Sequence, residues 1–136
     1  LVAYVNSLPN DIGSKMKIYK HAAYDFNGEV QLYQLSGPGS FVADIGKTKI
    51  TTVKIDDVLQ GEKATYIKMN IEGSELPALR GARKTIVNNH PKLAIAGYHK
   101  TWDLWEVPLQ ILKTDSTYKL YLRSYMNHIS FVYYAI

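Results

Sequence analysis

The stretch ATYIKMNIEGSELPALRGARKTIVNNHPKLAIAGY, residues 64–98, decides the fold. Residues 64–71 predict a strand, and Ser74 is a good N-cap for the amphipathic helix that follows. We expect this helix to end near residue 89. Residues 92–98 form an almost continuous apolar run, which is typical of a strand buried on both faces of a parallel sheet. Strand, helix and strand in this order predict a parallel unit with a crossover helix.

Three further strands and one helical turn are expected before this unit. Residues 16–23 and 29–35 both alternate apolar and polar positions, and the turn cluster between them predicts that they pair as a hairpin. Residues 49–55 are rich in β-branched side chains and predict the third strand. Asp56 and Asp57 follow, and they can cap a short helical turn.

A second helix and two strands are expected after residue 98. Pro108 begins or bends this helix, and Trp102 and Trp105 are expected to cover it. Residues 118–123 and 128–134 predict two strands, which the short link between them makes antiparallel. The whole order predicts one α/β domain whose mixed sheet closes with an antiparallel C-terminal hairpin.

Composition indicates an ordinary soluble domain. The 136 residues are 46% hydrophobic and 21% charged, and no apolar window is long enough for a membrane span. The net charge of +4 comes from 16 basic and 12 acidic residues dispersed along the chain, which argues against nucleic acid as a partner. The absence of cysteine excludes disulfides and thiolate chemistry, and it favours a cytoplasmic location.

The start of the chain is unusual for a complete protein. It begins at Leu1 rather than at methionine, and its first residues are already apolar. These residues lack the basic start and the long apolar stretch of a signal peptide. We therefore expect a fragment or a processed form of a longer protein.

Two segments are expected at the ligand-binding edge of the sheet. In open α/β sheets, ligands bind beyond the carboxyl ends of the parallel strands, which here are residues 70–75 and 98–102.

Two glycine-containing segments elsewhere are rejected as phosphate loops. Residues 37–42 lack the last glycine of a dinucleotide loop, and residues 46–48 lack the first glycine of a triphosphate loop. Neither segment is followed by a helical pattern.

The segment IKMNIEGSELPALRGA, residues 67–82, carries a specific combination of motifs. It resembles the signature of FkbM-type methyltransferases, in which a strand ends in Lys-x-Asp-x-Glu-Gly-x-Glu and passes into a helix with Leu-x-Gly-Ala. Residues 22–33, 98–108 and 118–123 are similar to further parts of the same family. The resemblance implies a Rossmann-like, S-adenosylmethionine-dependent enzyme that methylates a hydroxyl group of a small molecule or glycan.

Two features depart from the pattern of the family. Asn70 stands where the family has aspartate, so a role that needs a negative charge there is not carried over. The family's first strand with its glycine-rich cofactor loop, and its second strand with an acidic end, have no counterpart in the chain. The resemblance implies that these segments precede Leu1, so that N-terminal strands are missing and S-adenosylmethionine is bound weakly or not at all.

The missing strands have a defined place in the strand order of the family. They would lie between the strands at residues 16–23 and 64–71. Their loss leaves the second of these strands with an unpaired edge, which recruits other strands. We expect the chain either to self-associate through this edge or to fold its N-terminal strands onto it.

His99 is the preferred general base, because it directly follows an apolar strand at the expected ligand edge and histidine is the residue type most often used for proton transfer. An exposed loop histidine is the alternative. Glu72 and Glu75 are the second choices, although carboxylates in this position also stabilise a helix N-terminus. Asn70 and Glu72 are two positions apart on one side of the extended chain, so both are expected to face the cofactor and acceptor cleft.

The remaining candidates are binding residues. Asn70 is expected to position the acceptor by hydrogen bonding without carrying charge. The resemblance also implies that Ala23 and Tyr24, at the end of the first strand, contact cofactor or substrate. No metal site is expected, because metal-ligand spacing is lacking among His21, His90 and His128.

A non-catalytic α/β module is the alternative function, since an interaction domain can retain the scaffold without the cofactor loop. The natural N-terminus discriminates between the two functions, because an upstream strand with a glycine-rich loop supports the enzyme. The sequence leaves the acceptor open among sugars, polyketides and lipid-linked glycans.

Overall fold

A computed structural model describes residues 2–33, 41–43, 48–125 and 130–136. These residues form six helices and eight strands in two four-stranded sheets. In chain order the elements are α1 (Val2–Asn6), α2 (Asn10–Gly13), β1 (Ala22–Ala23), β2 (Gly28–Tyr33), β3 (Phe41–Val42), β4 (Thr48–Val53), α3 (Ile55–Leu59), β5 (Tyr66–Met69), α4 (Glu75–Gly81), α5 (Arg83–Asn89), β6 (Lys92–Ala96), α6 (Asp103–Thr114), β7 (Leu120–Tyr125) and β8 (Ser130–Ala135). Among the helices of these ranges, none has the length and hydrophobicity that spanning a membrane requires.

The first sheet has the strand order β1-β4-β2-β3, with β1 parallel to β4 and the other pairs antiparallel. The expected hairpin between residues 16–23 and 29–35 is wrong, because β4 lies between β1 and β2. Thr52 of β4 is in register with both Ala22 and Gly28. Alternating apolar and polar residues indicate which segments form strands, but not which strands pair with each other. The β-branched strand β4 pairs along both of its edges. The first strand is also shorter than expected, at two residues.

The second sheet has the order β5-β6-β8-β7. β5 and β6 are parallel, with Ile67 in register with Leu93, and β8 is antiparallel to both β6 and β7. The mixed sheet with an antiparallel C-terminal hairpin is therefore confirmed, although it is one of two sheets. The predicted link at residues 126–127 lies outside the described residues, as does the loop at residues 36–40.

The crossover between β5 and β6 is not one continuous helix. It is interrupted at Ala82, whose φ and ψ of −105° and 9° separate α4 from α5. The first N–H groups of α5 have no acceptor within the helix, and Asp56 supplies one. Its carboxylate oxygens accept hydrogen bonds from the backbone N–H groups of Lys84 at 3.0 Å and Thr85 at 2.8 Å. Asp56 therefore caps a distant helix in addition to lying at the start of α3.

The core lies between the second sheet and helices α4, α5 and α6. Leu93 and Ile95 of β6 pack there with the fully buried side chains of Leu79, Ile86, Val107 and Ile111. Each buried aliphatic side chain contributes about 1.5–3 kcal/mol relative to exposure. This packing holds the carboxyl ends of β5 and β6 in fixed positions beside the start of α6.

Helix α6 begins at Asp103, five residues before the proline that was expected to begin or bend it. Pro108 has no N–H, so the carbonyl of Leu104 loses its intrahelical partner. The hydroxyl of Tyr133 donates a hydrogen bond to that carbonyl instead. Trp102 and Trp105, which were expected to cover this helix, are 48% and 50% exposed.

Candidate functional site

A sharp turn connects β5 to α4 and places two side chains of the candidate site. Glu72 and Gly73 both adopt left-handed backbone conformations, with φ of 55° and 85°. A Cβ atom on Gly73 would lie 2.7 Å from Cε of Lys100. The left-handed conformation at Glu72 is costly for a non-glycine residue, by about 1–3 kcal/mol, and such strain concentrates at functional sites.

His99 lies between the two glutamates of this turn. Its Nδ1 atom is 3.0 Å from Oε1 of Glu75, and its Nε2 atom is 3.7 Å from Oε2 of Glu72. The side chain of His99 is 9% exposed, that of Glu75 is fully buried, and that of Glu72 is 40% exposed. The structure thus brings together the three residues that the sequence singled out as candidate acids and bases, and the exposed-loop alternative for His99 is wrong.

Glu75 does more than stabilise the N-terminus of α4. Its Oε1 atom accepts a 2.7 Å hydrogen bond from the backbone N–H of Ile71, which fixes the carboxylate beneath the turn. Its Oε2 atom is buried and has no hydrogen-bond partner among the described residues, and the same is true of His99 Nδ1. The 3.0 Å contact between the two side chains is therefore poorly directed for a hydrogen bond and chiefly electrostatic.

Asp103 completes this buried cluster, and it was not among the residues that the sequence singled out. The residue is 1% exposed, and its Oδ2 atom accepts the backbone N–H of Lys100 at 2.7 Å. Potential ligand atoms of Glu75, His99 and Asp103 all lie within 4.8 Å of one another, so they are the described residues best placed to hold a cation. An acidic residue in the first turn of α6 was the sequence signal that could have found Asp103.

Asn70 and Glu72 do not face the same cleft, which corrects the expectation from strand alternation. Asn70 accepts a 3.0 Å hydrogen bond from the Tyr98 hydroxyl, and it lines a cleft of about 210 Å³ between the ends of β5, β6, β7 and β8. Glu72 lines a different cleft, of about 340 Å³. The reason is the left-handed conformation of Glu72, which takes this residue out of the alternation that β5 follows.

The larger of these two clefts, which Glu72 lines and which is called the larger cleft below, joins the ends of the two sheets. Its walls include Ala22 and Ala23 from the end of β1, together with Ile71, Glu72 and Ser74 from the end of β5. Tyr24 is not part of it. The Tyr24 side chain lies in a separate cleft of about 410 Å³, where its ring meets Phe26 edge to face with 5.1 Å between the ring centroids. The two binding residues implied by the resemblance therefore have different surroundings.

Helix α4 and the segment after β1 are in very close contact. A Cβ atom on Gly81 would lie 1.9 Å from the carbonyl oxygen of Tyr24, so only glycine fits at this point. The neighbouring Arg80 forms a 2.8 Å ion pair with Asp25. These contacts fix the end of β1 relative to α4, and they give the glycine of Leu-x-Gly-Ala a physical role.

Comparison with known proteins agrees with this arrangement. The sequence profile described as "Methyltransferase FkbM domain" matches residues 4–132. The chain belongs to the FkbM methyltransferase family. A crystal structure of methyltransferase FkbM from Methylobacillus flagellatus KT is similar to this FkbM domain, with a TM-score of 0.74 and 30% sequence identity. The similarity covers 98% of this chain and 31% of that chain, and no curated protein matches.

Proposed function

We propose that this FkbM domain takes part in methyl transfer from S-adenosylmethionine to a hydroxyl group, with His99 as the general base. The observation that carries the proposal is the position of His99, nearly buried between Glu75 and Glu72 at the carboxyl ends of β5 and β6. Ligands of open α/β sheets bind at this edge. A cytoplasmic location fits the absence of cysteine.

The residues of the turn have distinct roles in this reaction. When bound, S-adenosylmethionine would supply an electrophilic methyl group and would keep the electron pair of the S–C bond on its sulfur. His99 takes the hydroxyl proton at Nε2. Glu75 favours the tautomer that carries its proton on Nδ1, which leaves the Nε2 lone pair free to act. Glu72 stabilises the imidazolium that forms.

The larger cleft has features that suit this cofactor. Its volume of about 340 Å³ is within the range of small-molecule sites. The Glu72 carboxylate on its wall complements a positive sulfonium, and Ala23 offers an apolar surface from the opposite sheet. The sequence contains no complete G-x-G-x-x-G loop. We therefore assign to this chain the acceptor side and part of the cofactor side of the site.

Two sheet edges support the place that we assign to the rest of the cofactor site. β1 and β5 are edge strands of their respective sheets, and each has a parallel neighbour on its inner side. In the strand order that we propose for the whole enzyme, the strand with the glycine-rich loop and its neighbour lie between these two edges. A Rossmann-like sheet of the whole enzyme would then be continuous.

The test uses a protein that carries the upstream strands as well as this domain. We expect His99→Ala to lower kcat/KM by about 10²- to 10⁴-fold while the Kd for S-adenosylmethionine changes little, because a base acts on the acceptor. His90→Ala is the matched control, since His90 also pairs with a carboxylate, Asp115 at 2.9 Å, but outside the clefts. Equal losses of transfer and cofactor affinity in His99→Ala would remove His99 from this role.

A non-catalytic module is the second candidate, and Asn70 is the observation that favours it. The amide removes the negative charge that the family has at this position, and its oxygen is already occupied by the Tyr98 hydroxyl. The encoded protein discriminates between the candidates. If no strand with a glycine-rich loop precedes this domain in the encoded chain, the module is favoured over the enzyme.

A further inference from the structure

Three buried side chains meet beneath the turn that connects β5 to α4. They are Glu75 at the first position of α4, His99 shortly after β6, and Asp103 at the first position of α6. Potential ligand atoms of the three residues lie within 4.8 Å of one another. The packing of two helices over the strand ends in the core therefore assembles two carboxylates and one imidazole.

The two carboxylates of this cluster have no cationic partner besides the imidazole. The side chain of Glu75 is fully buried, and Asp103 is 1% exposed. Among the described residues, no lysine or arginine forms an ion pair with either of them. Two buried negative charges so close together are costly unless a positive charge compensates them. A cation bound between the carboxylates would supply this charge.

Backbone hydrogen bonds orient both carboxylates and leave other atoms of the cluster free. Oε1 of Glu75 accepts the N–H of Ile71, and Oδ2 of Asp103 accepts the N–H of Lys100. Hydrogen bonds that fix the direction of a ligand side chain are typical of metal sites. Oε2 of Glu75 and Nδ1 of His99 are buried and have no hydrogen-bond partner among the described residues. Buried polar atoms are nearly always satisfied, so these two atoms indicate a bound ion.

The types of ligand atom in the cluster select the class of cation. Imidazole nitrogen binds zinc and other first-row transition metals, whereas magnesium and calcium prefer oxygen ligands. Calcium takes about six to eight oxygens and magnesium keeps several of its waters, and three nearly buried side chains cannot provide either environment. Zinc commonly takes three protein ligands from histidine and carboxylate residues and leaves one position open.

We propose that Glu75, His99 and Asp103 bind a divalent transition-metal ion such as zinc, with His99 coordinating through Nδ1. Nδ1 is the nitrogen that lies 3.0 Å from the buried carboxylate of Glu75, whereas Nε2 faces the more exposed Glu72. Spacing among the histidines alone does not detect such a site, because its ligands come from three elements and only one of them is histidine.

The bound metal and the proposed proton transfer compete for the same imidazole. A neutral imidazole carries one proton, so coordination of His99 through Nδ1 leaves that proton on Nε2. Nε2 then has no lone pair with which to accept the proton of a hydroxyl group. The metal therefore switches off the base when it binds. This consequence rests on the proposed function, but the binding of the metal does not.

Isothermal titration of the chain with zinc chloride tests the site. We expect a single zinc ion to bind with a Kd below about 10 µM, and millimolar magnesium not to compete. Glu75→Gln and Asp103→Asn each remove one charge but keep an oxygen for the backbone N–H. We expect each variant to bind zinc about tenfold or more weakly than wild type. Absence of zinc binding, or equal affinities of wild type and both variants, would overturn the proposal.

His90→Gln is the matched control, because His90 also lies beside a carboxylate, that of Asp115 at 2.9 Å, but outside this cluster. We expect this variant to bind zinc as tightly as wild type does. Loss of zinc binding in His90→Gln only would place the metal at the wrong histidine. Thermal unfolding without zinc establishes that each variant is folded before its affinity is interpreted.

NMR of the imidazole nitrogens identifies the atom that coordinates the metal. We expect the Nδ1 signal of His99 to shift when zinc binds. Coordination through Nε2 would contradict the proposed site, because it would place the metal beside Glu72 and away from Asp103. This measurement uses the wild-type chain, so it remains decisive if a variant does not fold.

Methyl transfer in a protein that carries the upstream strands separates this inference from the proposed function. We expect saturating zinc to lower kcat by about tenfold or more, and a chelator to restore it. Zinc binding through Nδ1 of His99 without any loss of transfer would keep the metal site and contradict His99 as the base. Transfer that requires His99 in a chain that binds no zinc would do the opposite.

Discussion

The carboxylate of Glu75, fully buried, lies 3.0 Å from Nδ1 of His99, and the two residues come from the ends of neighbouring parallel strands. A hydrogen bond from the backbone N–H of Ile71 holds this carboxylate in place. A carboxylate this close to Nδ1 favours the imidazole tautomer that carries its proton on that nitrogen, which leaves the Nε2 lone pair free. The relationship between these two residues is therefore the basis of the proposed proton transfer.

Glu75→Gln tests this relationship in the extended protein. We expect kcat to fall by about tenfold to a hundredfold with little change in KM, because Glu75 acts through His99 and does not contact the acceptor. Glu72→Gln is the comparison, since this more exposed carboxylate is 3.7 Å from His99 and we expect a smaller loss. The pH dependence of kcat should also change in Glu75→Gln. A larger loss of kcat in Glu72→Gln, with an unchanged pH profile in Glu75→Gln, would mean that Glu72 rather than Glu75 is the carboxylate that acts through His99.

The chain by itself is expected to bind S-adenosylmethionine weakly, with a Kd above about 0.1 mM. The physical reason is that backbone N–H groups of a glycine-rich loop and an acidic strand end are the usual partners of this cofactor, and the sequence has no complete loop of that kind. Calorimetric titration measures the affinity. Micromolar binding to the isolated chain would show that the larger cleft is sufficient.

Self-association is expected through strand β5. It is an edge strand, and Tyr66 on it is 55% exposed. Among the described residues, the N-terminal strands β1 to β4 form a separate sheet and none of them pairs with β5, so these strands do not fold onto this edge. An open edge with an apolar side chain recruits another strand. We therefore expect light scattering to show concentration-dependent dimers across a dilution series.

Tyr66→Lys should weaken this association, because charged side chains protect sheet edges. Tyr19→Lys is the matched control, since Tyr19 is also half-exposed but lies outside both sheets. Hydrogen exchange of the amides in β5 provides a second measurement. A strictly monomeric wild-type chain whose β5 amides exchange rapidly would contradict the prediction.

Gly81→Ala should destabilise the domain by about 1–3 kcal/mol. In an ordinary helix the same substitution stabilises by up to about 1 kcal/mol, because alanine has the higher helix propensity. Here the added Cβ would lie 1.9 Å from the Tyr24 carbonyl, so backbone must move. Urea unfolding measures the change, and the exposed helical position Lys84→Ala serves as control. A stabilised Gly81→Ala variant would mean that the contact with Tyr24 is absent in solution.

Asp115→Asn should destabilise the fold by about 1 kcal/mol at neutral pH, and by much less at low pH. Hydrogen bonds from the hydroxyl and the N–H of Thr117, and then from His90, lower the pKa of Asp115 to about 2. Because the folded-state pKa is depressed, the stabilisation is present above about pH 4 and is lost as pH falls toward 2. Urea unfolding at both pH values checks this, with the exposed Asp11→Asn as control. If the difference in the free energy of unfolding between Asp115→Asn and wild type were the same at both pH values, the stabilisation would not depend on the charge of Asp115.

Elements with strong local patterns could be predicted from the sequence. The strand at residues 92–98 and the antiparallel C-terminal pair are present, because a continuous apolar run and a short link leave few alternatives. The expected hairpin between residues 16–23 and 29–35 is absent, because β4 lies between β1 and β2 and pairs with both. Local alternation does not indicate which strands pair. The break at Ala82 and the extension of α6 ahead of Pro108 depend on distant groups, namely Asp56 and the Tyr133 hydroxyl.

The sequence by itself determined the family signature, the β5-α4-β6 unit and the candidate residues His99, Glu72 and Glu75, because these depend on the order and spacing of side chains along the chain. Only the tertiary structure decided that Asp103 joins His99, and that Asn70 and Glu72 line different clefts. The separation of Asn70 from Glu72 depends on a left-handed backbone angle, and the cluster with Asp103 depends on the packing of α6 against the strand ends.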